Sequence, residues 1–149
     1  MCWLSKFFTG TIERPSPSDI VPASSVQIIE NSIVVNLTNL IIPFTQPPKV
    51  WLPPLPDTNS MDPIMDNGHN NILIAGVDEA DQKKLVDFLQ VGDIAVYRSP
   101  RMYAIHRIVE KGEDEQGRYF RFKGDNNAVK DPDLVRDNEI QWLCIGTIF

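Results

Sequence analysis

Four short segments of the chain carry the residue types that hydrolysis by a serine would require, namely a hydroxyl, an imidazole and carboxylates. A serine hydroxyl is a poor nucleophile at neutral pH and needs a base within hydrogen-bond reach. Taken singly, each segment also has an ordinary structural interpretation as a turn or as part of a strand. In chain order the segments contain Ser60, Asp93, His106 and Asp125, and Asp131 follows the last of them.

The order and spacing of these segments resemble the signal peptidase family, especially its archaeal and endoplasmic-reticulum type. In that family a Ser-Met-x-Pro turn precedes a Gly-Asp-x-x-x-[Phe/Tyr] strand and a His-Arg-[Ile/Val]-Val strand. A hairpin then leads to Lys-Gly-Asp-Asn-Asn and a second aspartate. The resemblance covers roughly residues 57–149, and a terminal Ile-Gly-Thr also suits it. The matching residues here are 60–63, 92–98, 106–109 and 123–127, together with Asp131.

The resemblance implies a role for each matched residue. Ser60 would be the nucleophile and His106 the general base, at the position where bacterial signal peptidases and SOS-repressor-type autopeptidases have lysine. The neighbouring Arg107 remains protonated and cannot serve as a base, whereas histidine titrates near the operating pH. Asp131 would orient the imidazole, with Asp125 as the alternative.

The role of Asp125 and the donors to the oxyanion have alternatives. Asp125 could equally be structural, because Gly-Asp-Asn-Asn forms turns whose side chains bond their own backbone. The oxyanion of the reaction would be held by the backbone amide of Ser60, aided by the side chain of Thr58 or Asn59.

The chain departs from the family pattern at three points. Asn59 stands where the family usually has glycine, and we expect its bulk to narrow the substrate cleft. Gly68-His69 stands in place of a Gly-Asp, and we interpret His69 as a solvated turn residue. The apolar stretch at residues 26–44 is interrupted by polar residues, so we expect no integral membrane anchor.

Composition narrows the classes of function. The net charge of −6 and pI near 4.8 argue against nucleic acid as a partner, because phosphate binding needs clustered basic residues. Cys2 and Cys144 are expected to be unpaired thiols, and His69 and His106 form no HExxH-type metal site. The implied chemistry needs no metal and no cofactor.

The sequence divides by composition near residue 57. Nine of the 12 prolines fall in residues 1–56, and the whole net charge comes from residues 57–149. We therefore expect an extended proline-rich arm with a short β element, followed by a catalytic domain. Residues 46–56 should be a polyproline-like strap anchored by Trp51 and Leu52. The arm's apolar residues are expected to dock partly on another copy or another protein.

The predicted fold is mainly β, of the signal-peptidase or SOS-repressor type, with one short helix. Branched residues predict a hairpin or two short strands at residues 26–37. Helical spacing and early acids predict the helix at residues 78–89. Further strands are expected at residues 72–75, 93–98, 103–111, 118–123 and 140–149, with residues 112–117 as a hairpin loop.

The functional hypothesis is a serine endopeptidase that acts on an extended peptide or protein substrate without cofactors. The alternatives are a protein of this fold whose chemistry has lapsed and which serves as a structural part of a larger assembly, such as a phage particle, or a regulator that cuts its own arm. We expect a soluble protein, cytoplasmic or associated with a particle.

Overall fold

The computed structural model describes residues 26–30, 32–37 and 40–148 of the 149-residue chain. Its elements are strands β1 (Val26–Ile29), β2 (Ser32–Val35), β3 (Lys49–Trp51) and β4 (Asn70–Ala75), helix α1 (Glu79–Phe88), and strands β5 (Ile94–Arg98), β6 (Tyr103–Asp114), β7 (Gly117–Lys123), β8 (Val135–Arg136) and β9 (Ile140–Ile148). The described part of the chain is thus mainly β with one α-helix, which confirms the predicted class.

The strands form two antiparallel sheets. β1 and β2 pair as a hairpin, as expected for residues 26–37. The other seven strands form one sheet in the order β3-β4-β9-β5-β6-β7-β8. The last strand of the chain therefore lies between β4 and β5, near the middle of the sheet, and β6 lies between β5 and β7.

The hairpin of β6 and β7 is tighter than the sequence suggested. The expectation of a loop at residues 112–117 is wrong. The pairing of β6 with β7 continues to Asp114 and Gly117 and leaves only two residues in the turn. The Asp114 carboxylate accepts a hydrogen bond from the Gln116 amide, and Gly117 has a φ of 100°. Glycine adopts this left-handed conformation without steric cost, which permits the short turn.

Helix α1 begins where its sequence provides a cap. The Asp78 side chain accepts a hydrogen bond from the Asp81 amide, which satisfies one of the free N–H groups at the helix start. Asp81 is itself buried and accepts two hydrogen bonds from Thr45. Burial alone would raise the pKa of Asp81, but the bonds from Thr45 and Lys84 lower it to about 2. The helix is thereby tied to the chain segment before β3.

The hydrophobic core lies between α1 and one face of the large sheet. Ile74, Leu85, Leu89 and Phe120 are all fully buried there. Ile42, from the proline-rich region, belongs to the same cluster and is 2% exposed. Residues on the N-terminal side of position 57 therefore contribute to the body of the protein.

The proline-rich segment runs along an edge of the sheet. β3 pairs with β4, and Pro54 makes an isolated bridge with Asn70. The expected anchors are not buried, because Trp51 and Leu52 are each 50% exposed. Trp51 instead contacts Trp142 across the sheet, with ring centroids 5.6 Å apart.

Among the described residues, no helix is long and apolar enough to cross a membrane. Cys144 is a free thiol, and burial raises its pKa. Cys2 and the docking of residues 1–25 lie outside the described residues.

Ile42 tests how far the proline-rich region supports the body. Replacing Ile42 with alanine should lower the free energy of unfolding by about 2–5 kcal/mol, since it leaves a cavity in the core. The neighbouring Ile41 is 47% exposed, so Ile41→Ala should change stability by less than about 0.5 kcal/mol. Urea denaturation measures both. Equal losses for the two variants would contradict the placement of Ile42.

Candidate active site

Ser60, His106 and Asp131 form one continuous chain of hydrogen-bonding atoms. Ser60 Oγ lies 3.1 Å from His106 Nε2. The other ring nitrogen, His106 Nδ1, lies 2.6 Å from Asp131 Oδ2. These three residues are separated by up to 71 positions in sequence, so only the fold brings them together.

Strand β6 fixes the direction of the imidazole. His106 lies opposite Ala95 of β5, and Ile108 follows two positions later on β6. Ala95 and Ile108 are both fully buried in the core. Because every second residue of a strand faces the same side, His106 lies on the core face of the sheet. Its side chain is 13% exposed, so the ring is largely shielded from water while one edge reaches Ser60.

Asp131 is held just after β7. Its backbone amide donates a hydrogen bond to the Phe122 carbonyl, which fastens the loop to the strand. Its side chain is 14% exposed, and Oδ2 accepts a second hydrogen bond, of 2.8 Å, from the hydroxyl of Tyr97. The carboxylate therefore presents one oxygen to two donors.

Ser60 begins a turn that is held by two buried methionines and by backbone hydrogen bonds. Met61 and Met65 are each 3% exposed, and the amide of Met65 donates to the Met61 carbonyl. The turn also rests on the loop after β7, because the Ser60 carbonyl accepts a hydrogen bond from the Asn126 amide. A Cβ atom on Gly124 would lie 2.5 Å from that carbonyl, so only glycine allows this approach.

Asp125, the alternative orienting acid, is engaged elsewhere. Its two carboxylate oxygens accept hydrogen bonds of 2.8 and 2.6 Å from the Arg107 guanidinium. Arg107 also donates to the Gly92 carbonyl. Successive residues of a strand point to opposite faces, so Arg107 and Asp125 lie across the sheet from His106. Asp131 is the acid that meets the imidazole, and Asp125 fastens the 123–127 turn to β6.

The residues before Ser60 adopt an unusual backbone. Asn59 has a φ of 54°, in the left-handed region that glycine occupies freely and asparagine tolerates better than most residues. Asparagine at position 59 therefore suits the conformation that the turn requires. Thr58 Oγ1 lies 3.2 Å from Ser60 Oγ, so a second hydroxyl stands beside the first.

His69 lies in a turn. Its Nδ1 accepts a hydrogen bond from the Asp66 amide three residues earlier, as the interpretation of a turn histidine requires. Among the residues that the structure describes, no group of three or more metal-ligating side chains is present.

Tyr97, Gly124 and Asn126 lie in segments that the sequence pattern singled out, but sequence reasoning assigned them no role in this site. Tyr97 occupies the aromatic position of the Gly-Asp-x-x-x-[Phe/Tyr] pattern, and its hydroxyl was the available signal. Asn126 holds the Ser60 turn twice, since its side chain also donates to the Asn59 carbonyl. A carbonyl contact of this kind leaves no mark in the sequence.

The arrangement can activate a hydroxyl. With the proton on Nδ1, His106 donates to Asp131 and offers the lone pair of Nε2 to the Ser60 hydroxyl. As the serine proton moves to Nε2, the adjacent carboxylate stabilises the imidazolium that forms.

Comparison with known proteins adds little to this geometry. No family model matches the chain, and no solved structure matches it. An uncharacterized protein of the archaeon Methanocaldococcus jannaschii is 46% identical over 48 residues, which are 32% of this chain. The match spans only 24% of that relative's length. The similarity relates a segment of the two chains and assigns no activity.

The backbone at Asn59 supports a prediction. Asn59→Ala should lower the free energy of unfolding by about 1 kcal/mol, because the left-handed backbone conformation is sterically less favourable for alanine than for asparagine. Asn59→Gly should be neutral or stabilising. Exposed Asn67 has no positive φ, so Asn67→Ala is the matched control and should change stability by less than about 0.5 kcal/mol. Urea denaturation compares the three, and a loss with glycine as large as that with alanine would contradict the account.

Proposed function

We propose that this protein is a serine endopeptidase that resembles the signal peptidases of the Ser/His type. The observation that carries the proposal is the unbroken connection from Ser60 Oγ through both nitrogens of His106 to Asp131, with 3.1 and 2.6 Å between the atoms. A nucleophile, a base within reach and an acid that orients the base constitute the arrangement that acyl transfer by serine requires.

In the proposed reaction, Ser60 Oγ attacks the carbonyl carbon of a peptide bond while its proton passes to His106 Nε2. The imidazolium then gives this proton to the leaving nitrogen, the C–N bond breaks, and an ester remains on Ser60. Water attacks the ester carbon and gives a proton to Nε2. The bond between Ser60 Oγ and the acyl carbon then breaks, the carboxylic acid product leaves, and Nε2 returns the proton to Ser60 Oγ. Asp131 stays ionised throughout and stabilises the charged ring.

The negative oxygen of each tetrahedral intermediate needs hydrogen-bond donors. The backbone amide of Ser60 is the first candidate, as in the family that the chain resembles. Of the two side chains proposed to assist it, Thr58 has its hydroxyl 3.2 Å from the nucleophile, which favours Thr58 over Asn59.

The substrate is proposed to be an extended segment of peptide or protein. Residues 56–59 are exposed on the approach to Ser60, so this segment is accessible to a strand-like partner. By the same resemblance, small residues would precede the cleaved bond.

The proposal predicts a graded set of variant activities in digestion of a peptide library read by mass spectrometry. Ser60→Ala and His106→Ala should each lower kcat by on the order of 10⁶-fold, and Asp131→Asn by about 10⁴-fold, because the orienting acid contributes less than nucleophile and base. Asp133→Asn, two positions from Asp131 and exposed, should leave cleavage nearly unchanged.

Asp125→Asn separates the two assignments of the acid. This variant should lose the bidentate contact with Arg107 and some stability, yet cleave at nearly the normal rate per folded molecule. If Asp125→Asn abolished cleavage while Asp131→Asn did not, the roles would be exchanged. If wild-type protein cleaved no peptide of the library, the lapsed structural protein would be the better hypothesis.

A further inference from the structure

Tyr97 makes a contact with the proposed triad that no catalytic role yet explains. Its hydroxyl donates a 2.8 Å hydrogen bond to Asp131 Oδ2, the same oxygen that lies 2.6 Å from His106 Nδ1. We propose that Tyr97 is a positioning residue of the proposed peptidase: its hydroxyl fixes the Asp131 carboxylate and takes up part of the charge that would otherwise act on His106. The inference rests on the proposed function.

Tyr97 is rigidly mounted for such a role. It is 3% exposed and lies in the centre of the sheet on β5, directly opposite Ala104 of β6. Its ring stacks on Phe122 at a centroid distance of 4.3 Å. The carbonyl of that same Phe122 accepts the backbone amide of Asp131. The backbone of Asp131 is thus hydrogen-bonded to Phe122 and its side chain to Tyr97, and these two aromatic residues stack on each other.

The Tyr97 hydroxyl keeps its proton more readily than an exposed phenol does. Burial raises the pKa of Tyr97, and the hydrogen bond and charge of Asp131 raise it further. A protonated phenol donates to the carboxylate, so Asp131 Oδ2 has both Tyr97 and His106 within hydrogen-bond distance. A hydrogen bond from Tyr97 takes up part of the negative charge on this oxygen, so the oxygen attracts the imidazole less strongly than it would without that bond.

Other charged residues in the elements around Tyr97 and His106 include Asp133, Arg107, Asp125 and Lys123. On the loop after β7, Asp133 adds a weaker negative field on Tyr97. Arg107 of β6 and Asp125 of the turn after β7 bind each other on the opposite face of the sheet. Lys123 of β7 pairs with Arg107 in register and so lies on that opposite face as well. Asp131 is therefore the carboxylate that governs the imidazole, and Tyr97 is the group that modulates it.

Tyr97→Phe isolates the hydroxyl, because phenylalanine keeps the ring that stacks on Phe122. The protonation of the histidine rings is followed by NMR across the pH range. The chain has only two histidines, so His69 is an internal reference. In Tyr97→Phe the pH of half-protonation of His106 should rise by on the order of 0.5–1 unit, because Asp131 then acts on His106 alone, while His69 should not change.

Tyr119→Phe is the matched control, since the Tyr119 hydroxyl donates to Glu110, away from the triad. It should leave both histidines unchanged. In the peptide assay, Tyr97→Phe should lower kcat about tenfold with KM nearly unchanged, because Tyr97 contacts Asp131 and no substrate. In the background of Asp131→Asn, adding Tyr97→Phe should produce no further shift of His106.

The NMR result is independent of catalysis and separates the two hypotheses. If His106 titrates identically in wild type and Tyr97→Phe, the role of Tyr97 is refuted, whatever the activity. If His106 shifts as expected but wild-type protein cleaves nothing, the coupling of Tyr97 to the pair stands and the peptidase proposal fails.

Discussion

Along β6, His106 faces the core side of the sheet and Arg107 faces away from it, because side chains of a strand alternate between its faces. The two adjacent residues therefore meet different acids. His106 meets Asp131, whereas Arg107 binds Asp125 and the Gly92 carbonyl. A slip of one residue in the pairing of β6 with β5 would place a permanently charged guanidinium beside Ser60 and bring the base to the far face. The site depends on this register more than on any single contact.

Ser60 reaches the imidazole of His106 because two loops from distant parts of the chain meet. The Ser60 turn and the turn after β7 are joined by the bond from the Asn126 amide to the Ser60 carbonyl and by the bond from the Asn126 side chain to the Asn59 carbonyl. Gly124 permits the approach, because any side chain there would strike the Ser60 carbonyl. The bidentate contact of Asp125 with Arg107 fastens the same turn to β6, so Asp125 supports the candidate site through Arg107.

The sequence predicted the strands and the helix well where local pattern decides. The strands predicted at residues 93–98 and 140–149 correspond to β5 and β9, and the helix predicted at residues 78–89 corresponds to α1. The β6–β7 loop was overestimated, because polar residues can extend a twisted hairpin as readily as they form a loop. Exposure of Trp51 could not be foreseen either, since an aromatic residue beside prolines gives no sign of which neighbour covers it.

The residues of the candidate site were foreseen from a resemblance in order and spacing, whereas the contacts that position them were not. Nothing local distinguishes Asp125 from Asp131, because the choice is made by strand register and by the Phe122 carbonyl that holds the backbone of Asp131. The hydroxyl of Tyr97 likewise acquires its partner only through packing of β5 against the loop after β7.

The central claim is that the fold activates the Ser60 hydroxyl. The most direct measurement is incubation of the folded protein with a fluorophosphonate, followed by peptide mapping in a mass spectrometer. We expect a single phosphonyl adduct on Ser60, formed at neutral pH, formed more slowly at acid pH, and absent from Ser60→Ala. A protein left unmodified, or one modified equally in wild type and Ser60→Ala, would contradict this claim.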